Sequence, residues 1–153
     1  MALRHRVRTL LSYPPRRWGD LVVAATLVAR VERALRRGGV EQAARIGRVR
    51  VVMDGVAAPV GATTLVELSA REREQLDTAW RMLRRPPFNG TCLRRALVGG
   101  YFLRAHDPIL RIGVAKTDGV VAAHAWVEID GVGLDPDGAE KYRVLSRPDG
   151  MTE

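Results

Sequence analysis

A single cysteine lies at the start of a predicted helix, in the stretch "NGTCLRRALVGGYFLR" that begins at Asn89. Thr91 is a favourable N-cap residue, which places Cys92 in the first helical turn. Helix N-termini carry partial positive charge and backbone N–H groups without helical partners. Both features favour the thiolate, the nucleophilic form of cysteine, and the N–H groups can bind an oxyanion. Cys92 is therefore a candidate nucleophile, although lone cysteines are also common as small buried hydrophobic residues.

An alternating strand, "VVAAHAWVEI" at residues 120–129, supplies a candidate base. Its odd-numbered residues from 123 to 129 are apolar and are expected to face the core, so His124, Trp126 and Glu128 share the other face. A tryptophan is costly to leave in water, so we expect this second face to be covered, with the Cys92 helix as the cover. His124 can then accept the thiol proton. The alternative is that His124 is an ordinary surface residue of a sheet.

The hairpin that follows this strand supplies candidate carboxylates. Asp130-Gly131 favours a two-residue turn, and the resulting register places Asp135 opposite Trp126 and Asp137 opposite His124. Both carboxylates then lie on the His124 face, and the register does not choose between them. The set forms a Cys-His-Asp triad in outline, in which the carboxylate fixes the histidine tautomer. The same "DPDG" residues are also an ordinary turn sequence.

The elements that position these residues follow from local signals. A helical stripe of apolar residues runs from Trp18 to Arg36 and ends at Gly38-Gly39, and a shorter helix is predicted from Glu41 to about Arg50. Ser69 and Glu72 form a capping box that begins another helix, which Pro86-Pro87 ends. After residue 107 the strands "ILRIGVAKT", "VVAAHAWVEI", "VGLD" and "KYRVLS" are predicted, with a turn at residues 118–119. No structure is assigned to residues 51–68. This order predicts an α+β fold with a helical N-terminal half and a small antiparallel sheet.

Composition limits the function classes. The 153 residues suffice for one compact core, and the single cysteine indicates a reducing compartment. We expect a cytoplasmic protein, because no signal peptide is apparent and the longest apolar run, residues 21–29, is too short to cross a bilayer. The net charge of +8 favours an acidic partner. The arginines are not interleaved with aromatic residues, so nucleic-acid binding is not favoured.

Several further sites are not expected. The three histidines and one cysteine show no spacing typical of a metal site, and no phosphate-binding glycine loop is present. We therefore predict neither a metal nor another cofactor. The apolar helix flanked by arginines permits contact with a membrane surface, which is not the favoured interpretation.

Together these motifs carry a family resemblance. The stretch "TCLRRALVGGYFLR", with the later "ILRIGVAKTDGVVAAHAWVEIDGVGLDPDG", resembles the transglutaminase-like cysteine peptidases. More narrowly, the order of "CL.RAL", "IGV", "AHAWVEIDG" and "LD" is similar to the stand-alone leader peptidases of lasso-peptide biosynthesis. The resemblance covers about residues 86 to 138 and implies a papain-type fold with Cys92, His124 and Asp135 as the triad. Asp135 is preferred to Asp137 because "LDP" is similar to the Asp-Pro pair that often holds the third residue.

The resemblance also implies partners and a division of the chain. Such peptidases cut the leader from a ribosomally made precursor peptide, and act with a small leader-binding protein (a RiPP recognition element) and an asparagine-synthetase-like cyclase. We therefore predict a docking region at residues 1–68, a catalytic core at residues 69–145 and a tail at residues 146–153, within one compact unit. The first 60 residues match the family only in being helical and apolar.

The chain also departs from the pattern at some positions. No glutamine shortly before Cys92 can serve as a papain-style oxyanion donor. Asn89 and the backbone N–H of Cys92 are the candidates instead, with Trp126 as a candidate pocket residue. His106 is interpreted as a helix cap.

Two alternatives stay open at the level of sequence. The first is another acyl-transfer enzyme on the same fold, such as a transamidating one, which needs the same triad. The second is a basic binding module without enzymatic activity, in which Cys92 is structural.

Overall fold

The computed structural model describes residues 15–56, 66–86, 90–134 and 142–146. Its helices are α1 (Pro15–Gly47), α2 (Ala70–Leu83) and α3 (Cys92–Phe102), and a 3₁₀ turn (Arg104–His106) follows α3. The strands are β1 (Arg50–Val51), β2 (Ile109–Thr117), β3 (Val120–Ile129), β4 (Val132–Leu134) and β5 (Arg143–Val144). The predicted α+β class with a helix-rich N-terminal half is confirmed.

Helix α1 consists of two helical segments that meet at a glycine. Gly39 has φ 71° and ψ −162°, a non-helical conformation that residues with a side chain rarely adopt. The predicted interruption at the glycine pair is therefore confirmed. The second segment ends at Gly47, where a Cβ atom would lie 2.7 Å from the carbonyl oxygen of Leu97 in α3. The missing side chain lets the end of α1 pack directly on the backbone of α3.

Helix α2 begins with the predicted capping box. The backbone N–H of Glu72 donates to Ser69 Oγ at 3.2 Å, and the backbone N–H of Ser69 donates to Glu72 Oε2 at 2.8 Å. The helix is tied to α1 by Asp20, a buried carboxylate whose Oδ1 accepts hydrogen bonds from Arg71 at 2.6 Å and Gln75 at 3.1 Å. The cap and this tie fix where α2 starts and which face it turns toward α1.

The strands form one mixed sheet in the order β1-β2-β3-β4, with β5 also paired to β2. Strand β1 runs parallel to β2, whereas β5 runs antiparallel to β2 beside its later residues. The predicted antiparallel pairing is present among β2, β3, β4 and β5, and β1, which was not predicted, adds one parallel strand. The chain leaves β1, passes through α2 and α3, and returns to β2 in the same direction, as a crossover connection permits.

The two hairpins follow the predicted turns. Asp118, Gly119, Asp130 and Gly131 all have positive φ values, between 50° and 81°. Positive φ at both central residues is typical of a type I′ turn, which matches the twist of the flanking strands. The two-residue turn pairs Ile129 with Val132, as predicted.

The main core lies between the helices and one face of the sheet. It contains the odd-numbered face of β3, together with Leu110 of β2 and the buried side of α3. Helix α1 contributes seven of its members: Ala24, Leu27, Val28, Val31, Ala34, Ala43 and Ala44. Helices α1 and α3 therefore bury their apolar stripes against each other, and α3 also packs on the sheet face.

Candidate active site

Cys92 is the first residue of α3, in the first turn as predicted. Its side chain is half-buried. Thr91 occupies the N-cap in an extended conformation, but its side chain makes no capping hydrogen bond. Gly90, the residue before Thr91, is held by α2, because its backbone N–H donates to Leu83 O at 2.8 Å. A Cβ atom on Gly90 would lie 2.6 Å from Leu83 Cβ. The C-terminal end of α2 thus sets where α3 and its cysteine begin.

His124 lies in β3 and is buried, with 7% of its surface exposed. Its imidazole lies nearly parallel to the ring of Tyr142, at 4.7 Å between centroids and 28° between planes. The Trp126 ring is also nearly parallel, at 6.0 Å and 24°. His124 is therefore held among aromatic rings rather than placed on an open sheet surface.

On the even-numbered face of β3, His124, Trp126 and Glu128 are all buried, as expected. Ala125, Val127 and Ile129 belong to the core cluster that contains the buried residues of α3. That helix therefore packs mainly on the apolar face of β3, because its apolar stripe gains most by contact with an apolar sheet face. Residues of α3 also line a pocket with His124 and Trp126, and Tyr142 stacks on His124.

This small pocket joins the cysteine and the histidine. Its lining includes Val127 of β3 and Leu134 of β4, which pair with each other across the strands. The lining residues are Trp80, Cys92, Arg95, Ala96, Gly99, Leu103, His124, Ala125, Trp126, Val127 and Leu134. The pocket volume is about 20 Å³, close to that of one water molecule. A ligand larger than water would therefore lie across its mouth rather than inside it.

Some predicted site residues fall outside the described parts of the chain. These are Asn89, Asp135 and Asp137. Cys92, His124 and Trp126 are the predicted site residues that line the pocket together. The third member of the triad and the side-chain oxyanion donor stay predictions.

An ion network lies farther along the His124 face. Arg111 pairs with Trp126 across the strands and donates to Glu128 Oε2 at 3.2 Å and to Asp54 Oδ1 at 2.5 Å. Burial opposes the charge on Arg111, but the hydrogen bond and the charge of Glu128, followed by Asp54, outweigh it and raise the pKa of Arg111. The network keeps this buried face ordered and joins it to the segment after β1.

This geometry can be compared with known protein families. A family model described as the transglutaminase-like superfamily matches residues 9–147. The chain belongs to the transglutaminase-like superfamily. Comparison with curated proteins and with solved structures gave no significant match to either.

The transglutaminase-like domain includes the N-terminal helices. The matched segment starts at residue 9, whereas the resemblance of the motifs covers only about residues 86 to 138. Helix α1, which packs on α3, therefore lies within the family domain. The predicted division into residues 1–68 and 69–145 is not tested by this match.

Sequence analysis missed several residues around the transglutaminase-like site. Trp80 lines the pocket. Its indole N–H donates at 3.4 Å to the backbone carbonyl oxygen of Arg95, a residue of α3. The available signal for Trp80 was its spacing of four residues from Leu76, which indicates an apolar face on the predicted helix. Arg111 interrupts the apolar strand "ILRIGV" and marks a buried polar face. Tyr142 carried no signal, because its stacking depends on a strand pairing distant in sequence.

His106 is not a cap of α3. Its Nε2 lies 2.7 Å from Glu72 Oε1, in the capping box of α2. The hydroxyl of Ser69, then its backbone N–H, and then His106 lower the pKa of Glu72. His106 therefore links the segment after α3 to the start of α2, away from the pocket.

Two further observations concern the described residues alone. They contain no group of three or more His, Cys, Asp or Glu side chains arranged to hold a metal ion. Within the same ranges, no helix is both long enough and apolar enough to span a bilayer.

Proposed function

We propose that this protein is a cysteine peptidase that removes the leader from a lasso-peptide precursor. The observation that carries the proposal is the pocket lined by both Cys92, at a helix start, and the buried His124. Membership of the transglutaminase-like superfamily supports thiol-dependent peptidase or acyl-transfer chemistry. The narrower assignment rests on the resemblance of "CLRRAL" and "AHAWVEIDG" to lasso leader peptidases.

In the first step, His124 accepts the thiol proton and the Cys92 thiolate attacks the carbonyl carbon at the leader–core junction. The carbonyl electrons move to its oxygen, which the first-turn N–H groups of α3 stabilise. Thr91 does not occupy those groups with its side chain. When the tetrahedral adduct collapses, the C–N bond breaks and His124 returns its proton to the departing amine of the core peptide.

In the second step, water resolves the thioester between the leader and Cys92. His124 takes a proton from the water as its oxygen attacks the carbonyl carbon. The C–S bond then breaks, the leader leaves with a new carboxylate, and the cysteine is regenerated. Asp135 would hold the His124 tautomer throughout.

A partner surface on α1 fits the delivery of such a substrate. Trp18 and Val22 are 40% and 62% exposed, one helical turn apart. Farther along the helix, Arg30, Arg33 and Arg37 are exposed and form no ion pair with the described residues. We propose that this apolar and basic face binds the small leader-binding protein, which would bring the precursor peptide and leave the cut core for the asparagine-synthetase-like cyclase.

The chemistry can be tested by alkylation. Iodoacetamide reacts with thiolates, and an ordinary cysteine becomes a thiolate only near pH ~8.5. Cys92 modification is followed by mass spectrometry from about pH 5 to about pH 9. We expect fast reaction at the acidic end, slowed by His124→Ala. Reaction that follows an ordinary thiol and ignores His124 would favour the binding-module alternative.

The substrate assignment needs a second experiment. A precursor peptide is incubated with the protein and the leader-binding protein, and the products are identified by mass spectrometry. We expect hydrolytic cleavage at the leader–core junction, which Cys92→Ala abolishes. A product formed only with an added amine would instead identify a transamidating enzyme. Failure of Arg33→Glu to reduce cleavage would contradict the proposed docking face.

A further inference from the structure

Among the described residues outside the predicted triad, Tyr142 has the ring that lies closest to the His124 ring. Its ring centroid lies 4.7 Å from that of the imidazole, compared with 6.0 Å for Trp126. The two planes differ by 28°, which is a stacked arrangement. Tyr142 is half-buried, so the stacked rings are largely shielded from solvent. Stacking of this kind limits rotation of the histidine ring about its side-chain bonds.

The backbone around Tyr142 is fixed by the sheet. Strand β5 begins at the next residue and pairs with β2, with Val144 opposite Gly113. The backbone N–H of Leu145 also donates to Ile112 O at 2.9 Å. Since Gly113 is the cross-strand partner of His124, these pairings place Tyr142 beside the base. The position of the tyrosine is thus determined by strand pairing.

Gly113 leaves the space that the aromatic rings use. A Cβ atom on Gly113 would lie 3.0 Å from Tyr142 Cβ, from Trp126 Cη2 and from the carbonyl oxygen of Arg143. A contact that short forces the neighbouring atoms to move. A side chain at this position would therefore push Tyr142 away from His124 or loosen β5.

We propose that Tyr142 is a positioning residue for His124. Its ring holds the imidazole plane in the orientation that serves Cys92, and its π face stabilises the imidazolium that forms when the thiol loses its proton. This inference rests on the proposed function. It adds a residue that acts through the base rather than on the substrate.

Several charged and titratable groups also lie near His124. From α3, Cys92 and Arg95 line the same pocket. On the sheet face, Arg111 and Glu128 lie beyond Trp126 and neutralise each other. A substitution of Tyr142 removes the aromatic contact with His124 and leaves these charged groups in place.

The test compares Tyr142→Phe, which keeps the ring, with Tyr142→Leu, which removes it, and uses His124→Ala as the reference. The readouts are the Cys92 alkylation rate near pH ~6 and the NMR shift and titration of the His124 ring protons. We expect Tyr142→Phe to behave like the unmodified protein. We expect Tyr142→Leu to slow alkylation about two- to tenfold and to shift the ring protons.

The outcomes separate this inference from the proposed function. If His124→Ala slows alkylation but Tyr142→Leu does not, the positioning role is wrong and the Cys-His pair stands. If Tyr142→Phe slows it as much as Tyr142→Leu, the hydroxyl matters rather than the stacked ring, which also overturns the inference. If His124→Ala has no effect either, the proposed function fails.

Unfolding of the leucine variant must be distinguished from loss of the stack. Thermal melts followed by circular dichroism give the folded fraction of each variant. Gly113→Ala is a second route to the same displacement, because its Cβ atom would contact Tyr142 Cβ. We expect this variant to slow alkylation while Tyr142 is still present. Unchanged alkylation and His124 shifts in folded Gly113→Ala would contradict the inference.

Discussion

At the scale of single residues, the buried pair of Arg111 and Glu128 shows why the polar face of the sheet tolerates burial. Their side chains are 8% and 4% exposed, and the guanidinium makes two hydrogen bonds to the carboxylate. Asp54 adds a third, from the segment after β1. A buried charge is costly unless it is paired in this way, so the two residues depend on each other.

This dependence gives the first prediction. Glu128→Ala leaves a buried guanidinium with Asp54 as its remaining described partner, and we expect a loss of about 3 kcal/mol in the free energy of unfolding. Urea denaturation measures it. The control is the double variant Arg111→Met with Glu128→Leu, which removes both charges and should cost about 1 kcal/mol or less. A double variant as unstable as Glu128→Ala would show that the ion pair has a role beyond mutual neutralisation.

At the scale of elements, the start of α2 responds to pH. The pKa of Glu72 is lowered by the Ser69 hydroxyl, by the Ser69 backbone N–H and by His106. A lowered pKa means that the ionised carboxylate stabilises the folded state above its ordinary value of 4.5 and that this contribution is lost as the pH falls through the lowered value. We expect the melting temperature to fall below about pH 5 and Glu72→Gln to flatten that fall.

The measurement is a series of thermal melts from about pH 7 to about pH 3. Glu67→Gln controls for the loss of one exposed negative charge near the cap. A fall in melting temperature that is as steep in Glu72→Gln as in the unmodified protein would contradict the assignment to this capping box.

The junction between α2 and α3 gives a prediction about the site. Gly90→Ala would bring a Cβ atom to 2.6 Å from Leu83 Cβ, so the turn before Cys92 must move away from α2. We expect alkylation of Cys92 to slow by about tenfold, because small misplacements of a reacting group are costly. The control is Gly19→Ala in α1, where the added Cβ atom meets nothing within 4 Å. It should keep the alkylation rate and gain up to about 1 kcal/mol in stability.

Whether the sequence predicts a feature depends on how far apart along the chain the residues that determine it lie. The capping box at Ser69, the break at Gly39 and the turn at Asp130-Gly131 are local signals, and all three are confirmed. The features that were not predicted are contacts between distant segments. Alternation along β3 separates two faces, but it does not say which one a helix covers or that Tyr142 reaches His124. The pairing of β1 and β5 with β2 depends on the whole fold.

At the scale of the whole molecule, α1 shares its core with the helix that carries the candidate nucleophile. Gly47 meets the Leu97 carbonyl oxygen, and Gly100 of α3 packs against Val49 so closely that a Cβ atom would overlap its Cγ1. Because the Gly47 contact is with the backbone of α3, it cannot be relieved by a change of rotamer alone. We expect Gly47→Ala to lower the free energy of unfolding by about 1–3 kcal/mol while unfolding stays a single transition.

The strongest test of this shared core is removal of α1. A chain of residues 66–153 lacks the seven α1 residues of the main core, so part of the buried side of α3 would face water. We expect this fragment to show no cooperative thermal transition by circular dichroism, because the remaining core is too small to offset the loss of chain entropy. The full chain is the control, with the same Cys92 alkylation assay applied to both. A fragment that melts cooperatively and retains a reactive Cys92 would instead make residues 1–68 a separate docking region.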